Sequence, residues 1–321
     1  MIALLATLAL AAPPNDAPAT VRPSDWEYRF KAIIGGLATW DSEEETTPSL
    51  SLIRARPSLS GRYTRNLSWK LSAAFGDFEP RLRHAWINVR AYKRHLQMRV
   101  GRFKRPFSIM RLTSFHRQGG IDRGLASNAL GSGYDLGAAL HNGFRDAKAG
   151  FHWTAGAFAE DRLVLAGRVG WASEGMRAYR QTDQSRGGLR WSAAAGVQWF
   201  GKRAAKVQKL ELEVDAMLKA HGLTVAAQLG QSLVDDQQTL SLHSHVGYRI
   251  IPELEPVLRY DSVFPDTGAM EQEAVLGLNA YLFENHLRAT LDGAWLDRVV
   301  LGTGAAAAQS GYRVRFMLLV M

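Results

Sequence analysis

The sequence predicts an all-β fold, a transmembrane antiparallel β-barrel of about sixteen strands. Three observations carry that expectation. Alternating segments, mostly of about ten to thirteen residues, recur along the chain, long enough for a tilted strand to cross a bilayer. Hydrophobic residues make up 46% of the chain, yet no run of eighteen apolar residues offers a membrane-spanning helix. One connection, residues 104–133, is far longer than the usual turn and reads as a functional loop.

Composition removes several chemistries. The 321 residues include no cysteine, which excludes disulfide frameworks, thiolate zinc sites and catalytic thiols. The net charge of +9 suits a nucleic-acid binder, an anionic surface or an anion conduit, and does not choose among them.

The chain opens with an apolar run, Ile2 to Ala12, that closes on Ala9, Leu10 and Ala11, the small-x-small pattern of a cleavage site. Residues 1–11 therefore read as a signal peptide, too short for a membrane span. Residues 12–25, with Pro13 and Pro23, read as a flexible lead-in. The barrel is expected over 26–321. Its strands are placed at 26–40, 48–63, 67–77, 81–92, 95–103, 134–143, 147–158, 162–172, 188–200, 205–218, 222–233, 238–250, 253–263, 271–283, 286–298 and 310–321.

Two segments show the pattern. Leu67, Trp69, Leu71, Ala73 and Phe75 alternate with Ser68, Lys70, Ser72, Ala74 and Gly76. Leu210, Leu212, Val214, Ala216 and Leu218 alternate with Lys209, Glu211, Glu213, Asp215 and Lys219. Each segment has one face for lipid and one for water. The last strand, with Tyr312, Val314, Phe316, Leu318 and Val320 on one face, must pair with the first, because an open sheet edge in hydrocarbon leaves backbone groups unpaired. Trp26, Tyr28, Trp40, Tyr63, Trp69, Trp199, Tyr260, Tyr281, Trp295 and Tyr312 are placed in interfacial girdles.

Connection lengths set the direction of travel. Arg65–Asn66, Lys93–Arg94, Ile251–Glu253 and Glu284–Asn285 are short and fall on the inner side; Asp41–Thr47, the 104–133 loop, Phe264–Met270 and Val299–Gln309 are long and fall on the outer side. Ser173–Gly187 breaks this rule, being long and on the inner side.

From Arg102 to Gly133 the long loop and its approach carry six fixed positive charges against one negative, Asp122. The expected anion-binding and pore-lining residues are Arg99, Arg102, Lys104, Arg105, Arg111, Arg117 and Arg123, with Lys104 and Arg105 just before the bend at Pro106. On the second strand Arg54, Arg56 and Arg62 share a parity opposite to Ile53, Ala55, Leu59 and Tyr63, so they should face water and add to the field. Arginine suits phosphate-like anions because its planar fork donates parallel charge-assisted bonds.

Several stretches resemble the phosphate-selective porin O/P family. Ile53 to Gly61 (IRARPSLSG) looks like its arginine-rich second strand, and Ala85 to Arg90 (AWINVR) followed by Val100 to Ser108 (VGRFKRPFS) resembles its most recognisable motif. Ile121, Asp122, Arg123 and Asp135, Leu136, Gly137 are similar to the segment after the constriction loop in that family. Gly277 to Leu282 (GLNAYL), with Leu287 and Arg288, is similar to the penultimate hairpin. Arg102 stands where that family commonly has glutamine, and Met321 where outer-membrane barrels commonly end in an aromatic residue. The resemblance implies a porin in the bacterial outer membrane. It would be a water-filled diffusion channel for small anions, phosphate or polyphosphate among them, narrowed by a constriction loop, its third outer loop over 104–133, which folds inward. A homotrimer in contact with lipid and lipopolysaccharide is implied too, with no cofactor and no enzymatic activity.

Three further clusters could carry other chemistry. His243 and His245 share a strand face without an indicated third metal ligand. Glu43, Glu44 and Glu45 could bridge divalent cations to lipid headgroups. Gly302, Gly304 and Ala307 mimic a dinucleotide fingerprint, but a strand follows where a helix should. Two other classes stay open, an outer-membrane barrel hydrolase and a non-conducting structural barrel. A soluble nucleic-acid binder would leave the leader and the strands unexplained.

Overall fold

The computed structural model describes residues 26–321 except 43–48, 64–65, 77–78, 93–94, 132, 144–148, 161, 202–207, 284 and 302–307. The expected signal peptide, the lead-in up to residue 25, Glu43 to Glu45, and Gly302, Gly304 and Ala307 lie outside the described residues.

The strands are β1 (Trp26–Asp41), β2 (Ser49–Tyr63), β3 (Leu67–Gly76), β4 (Glu79–Tyr92), β5 (Leu96–Lys104), β6 (Tyr134–His141), β7 (Gly150–Phe158) and β8 (Val164–Ala172). They continue as β9 (Arg190–Phe200), β10 (Lys209–Ala220), β11 (Leu223–Val234), β12 (Gln237–Tyr248), β13 (Leu254–Pro265), β14 (Gly268–Leu282), β15 (Leu287–Leu301) and β16 (Ala308–Val320). Each pairs with its sequence neighbours, and β1 pairs antiparallel with β16 from Ile34↔Val320 to Asp41↔Arg313, closing a sixteen-stranded barrel. Closure removes the unpaired edges that an open sheet would leave.

The wall is inside-out relative to a soluble protein. On β10, Leu212, Val214 and Leu218 are exposed while Glu211, Glu213 and Lys219 are buried. The same alternation runs on to β16, where Phe316 and Leu318 are exposed and Arg315 is buried. An apolar outer face and a charged inner face are what a strand needs between lipid and a polar interior. No helix among the described residues is long and apolar enough to cross a membrane.

Two connections differ from expectation. Strands β13 and β14 extend further than their periodicity indicates, so the long loop expected over Phe264–Met270 shrinks to the turn at Asp266 and Thr267. That turn is fastened by Gln238 N–H donating to Asp266 Oδ2 at 2.8 Å and Asp266 N–H donating to the Gln238 carbonyl at 2.9 Å. The anomalous inner-side connection spans 173–189 and contains no strand. It turns back into the barrel, burying Met176, Tyr179, Gln181 and Asp183.

The third outer loop also lies inside. It carries α1 (Ile109–Leu112), a 3-10 turn at Phe115–Arg117 and α2 (Gly124–Ala129). Ile109, Met110, Leu112 and Phe115 are all buried, as are Ile121 and Ala126. Gly124, at φ +74°, sits so close to the wall that a Cβ would fall 2.1 Å from the Asp261 carboxylate. Glycine is required there by both backbone and space.

Candidate functional site

The loop is fixed to one half of the barrel, and its attachments follow the chain. At its start Arg105 Nη1 meets Asp135 Oδ2 at 2.8 Å and Nε donates to Gln198 Oε1 at 3.3 Å; Nη2 also donates to the Gly131 carbonyl. One guanidinium thus ties both ends of the loop together. Arg168 donates to the Phe107 carbonyl at 2.9 Å while paired with Asp215 at 2.5 Å, and Ile109 N–H donates to Glu213 Oε1 at 2.9 Å.

Beyond the 3-10 turn, Asn279 Nδ2 donates to the Gly119 carbonyl at 2.7 Å and Arg288 to that of Gln118. Asp122 is held by Arg259 at 2.5 Å and also by Arg315. Gly131 N–H donates to Glu211 Oε1 at 2.7 Å. The partners belong to β6 and to strands from β8 to β16.

The opposite flank of the loop faces β2, β4 and the end of β5. There a cavity of about 200 Å³ is lined by Arg54, Arg56, Arg83, Lys104, Arg111, Arg123, Gly133 and Tyr134. Six cations meet, and among the described residues no carboxylate and no histidine lines the cavity. Arg54 lies 4.1 Å over the Phe115 ring and Arg83 5.3 Å over the Tyr134 ring. Arg56 Nε, Arg83 Nε and Tyr134 Oη are buried without a protein hydrogen-bond partner. Buried donors of this kind call for a guest, water or anion, because leaving them empty costs the desolvation of each.

The loop cations are held from behind. Lys104 Nζ donates to the carbonyls of Leu112 at 3.4 Å and Thr113 at 3.3 Å, and to that of Arg111, at the end of α1. Arg111 Nε donates to the Ser127 carbonyl at 2.9 Å, and Arg123 Nε to the Met110 carbonyl at 3.1 Å. Burial first, then the neighbouring Arg111, Arg56 and Arg83, pull the Arg123 guanidinium down to about 10, so it is still charged at neutral pH. Burial, partly offset by Glu211 and reinforced by Arg105, lowers Arg111. Burial also opposes the charge on Asp122, but Arg259 and Arg315 outweigh it and hold that carboxyl well below the usual carboxylate range.

Of the sequence-predicted residues, the structure brings together Arg54, Arg56, Lys104, Arg111 and Arg123. Five others sit elsewhere. Arg102 shares its parity with the exposed Val100 and pairs in register with the exposed Leu136. Its guanidinium donates to the Leu82 carbonyl at 3.0 Å and pairs with Glu160, so it stands outside the cavity. Arg105 is the neutralised latch between the two ends of the loop. Arg99 is buried with its guanidinium 4.0 Å over the Trp86 ring. Arg117 lies on the loop tip, within electrostatic reach of Lys31 and Arg180. Arg62 shares the parity of Arg54 and Arg56 but is exposed near the end of β2, opposite Glu27 in register.

Sequence reasoning missed Arg83 and Tyr134. Along β4, Leu82 pairs with Ala73 and His84 with Ser72, leaving Arg83 as the extra residue of a β-bulge. A bulge re-aims one side chain against the two-residue repeat, so parity places Arg83 on the wrong face. His243 donates or accepts through Nδ1 with Asp261 at 2.9 Å, and among the described residues no group of three or more metal-ligating side chains is present.

Neither protein-family models nor curated protein sequences match this chain. Solved structures do match in fold. The anion-selective porin from Comamonas acidovorans superimposes with a TM-score of 0.65 at 14% identity, over 92% of this chain and 99% of that one. The outer-membrane channel DcaP of Acinetobacter baumannii gives 0.66 at 13% identity over 92% and 97%. OmpT, an outer-membrane protein of Vibrio cholerae, gives 0.66 at 13% identity over 94% and 99%. The chain has the fold of an outer-membrane porin, a closed antiparallel sixteen-stranded β-barrel of the kind that resides in Gram-negative outer membranes.

Proposed function

We propose that this protein is an outer-membrane diffusion channel that passes small anions along the lane between the inward loop and the arginines of β2 and β4. The observation that carries the reading is the six-cation cavity, lined by no carboxylate among the described residues. Fixed guanidinium and ammonium groups favour anions by replacing part of their hydration with charge-assisted bonds. Phosphate and polyphosphate fit such a lining by their charge and oxygen geometry, and the motif resemblance to the phosphate-selective porin O/P family adds support. A homotrimer seated among lipid and lipopolysaccharide completes the proposal; one OmpT structure is described as a trimer form.

The test is purified protein in a planar bilayer between unequal chloride solutions and then unequal phosphate solutions. Stepwise openings with a reversal potential of anion sign are expected. A cation-sign reversal would sink the selectivity, and absence of openings would leave the non-conducting barrel. That second reading draws on the buried apolar cluster shared by the loop and connection 173–189 inside the barrel. The proposed role involves no bond-breaking step; hydrolytic turnover by a non-conducting protein would move it to the enzyme class.

A further inference from the structure

We propose that connection 173–189 is a second jaw of the constriction, and that Gln181 is the positioning residue by which it holds the inward loop. The inference rests on the channel reading and concerns what sets the bore. Gln181 is buried, and it reaches the loop at three points. Its backbone N–H donates to the Arg117 carbonyl at 2.8 Å, its Oε1 accepts from Gly119 N–H at 2.8 Å, and its Nε2 lies 3.0 Å from Met110 Sδ. These points flank the 3-10 turn on both sides. Nearby, Met176 and Tyr179 join Ile109, Met110 and Leu112 in one buried apolar cluster.

The connection is itself secured from the wall. Asp183 pairs with Arg190 at 2.9 Å and accepts from Gly222 N–H at 2.9 Å, while Lys219 Nζ donates to the Arg177 carbonyl at 2.9 Å. A simple inner turn, which is normally short, has no need of a buried apolar face or of a side chain aimed at the opposite loop. The loop tip at 118–119 is therefore gripped by two elements: Asn279 and Arg288 from the wall, and Gln181 from the connection. Removing the Gln181 side chain breaks its contacts with Gly119 and Met110 and leaves the backbone bond to the Arg117 carbonyl, so the barrel stays closed while the tip beyond Arg117 is freed to move across the lane.

Gln181→Ala in the full chain is the test, read in two ways. Single-channel conductance is expected to rise about twofold with more open-channel noise, since a constriction's width governs its conductance. Amide exchange across 115–122 is expected to quicken while exchange in the strands stays unchanged. Gln181→Glu, which keeps the acceptor for Gly119 N–H but loses the donor toward Met110 Sδ, is expected to loosen the tip less than alanine does. Unchanged exchange and unchanged conductance in the alanine variant would overturn the proposal, as would equal disturbance by alanine and glutamate. Should the alanine variant not fold, Gln181→Asn, one methylene shorter, is read the same way. A wild type that does not conduct counts against the channel reading alone, because exchange still reports whether Gln181 holds the tip.

Discussion

Two halves of the barrel interior use the same residue type to opposite ends. Toward β2 and β4, Arg54, Arg56 and Arg83 converge on a cavity that no carboxylate among the described residues lines. From β8 to β16, Arg168, Arg259 and Arg315 are each paired, with Asp215 at 2.5 Å, Asp261 at 2.8 Å and Asp292 at 2.8 Å. The first set meets no carboxylate among the described residues and lines a cavity; the second is scaffold. An arginine becomes a candidate permeation group only where its neighbours leave its field unanswered. The loop between the halves inherits this asymmetry, fastened on the paired side and presenting Lys104, Arg111 and Arg123 to the other.

The contrast breaks most readily on the uncompensated side. Replacing Arg54, Arg56 and Arg83 together by glutamine is expected to lower the anion-over-cation permeability ratio about tenfold, the low end of what a focused field supplies. Retained preference, measured by reversal potential in a folded triple variant, would move the filter elsewhere. On the paired side, Arg168→Ala strands Asp215 and releases the Phe107 carbonyl. The expected cost is about 3–5 kcal/mol of unfolding free energy, as for removal of one partner from a buried pair. Denaturant unfolding in lipid checks it, and a neutral result would mean that water already screens the pair.

Arg105 sharpens the contrast because its charge is already answered by Asp135. Arg105→Ala is expected to change the permeability ratio less than about twofold, since a paired charge adds little field, while raising channel noise as the loop ends part. A large loss of anion preference would put Arg105 among the filter cations. Salt gives a smaller effect: preference should weaken between 0.1 M and 1 M salt as the screening length shrinks from about 10 Å to about 3 Å. The smallest effect concerns pH. With no histidine or carboxylate among the described lining residues, and with Arg123 losing its proton only as pH rises through about 10, preference should stay flat from about pH 5 to 8. A slope in that window would reveal a titrating group on the path.

Much of the architecture was legible in the residues. All sixteen strand positions correspond to observed strands, because a wall with lipid on one face and a polar interior on the other imposes strict alternation, as Leu212 and Glu213 on β10 display. The inward basic loop was legible from its length and from Arg111 and Arg123. Arg83 was not, since its bulge depends on register with β3. The latch role of Arg105 was hidden too, because Asp135 lies beyond the far end of the loop. The overlong connection 173–189 was visible as an anomaly, but its length alone could not say that it turns inward.

The sequence by itself determined the closed barrel, the outer apolar face and the concentration of cations near one loop. Those properties are local repeats and local composition, which a chain carries in its own order. Tertiary structure alone decided which cations are neutralised and which converge, because pairing depends on strands far apart in sequence brought within a few ångströms by closure. Arg54 and Arg123 meet across the cavity, whereas Arg259 and Arg315 share Asp122, and no periodicity distinguishes those outcomes.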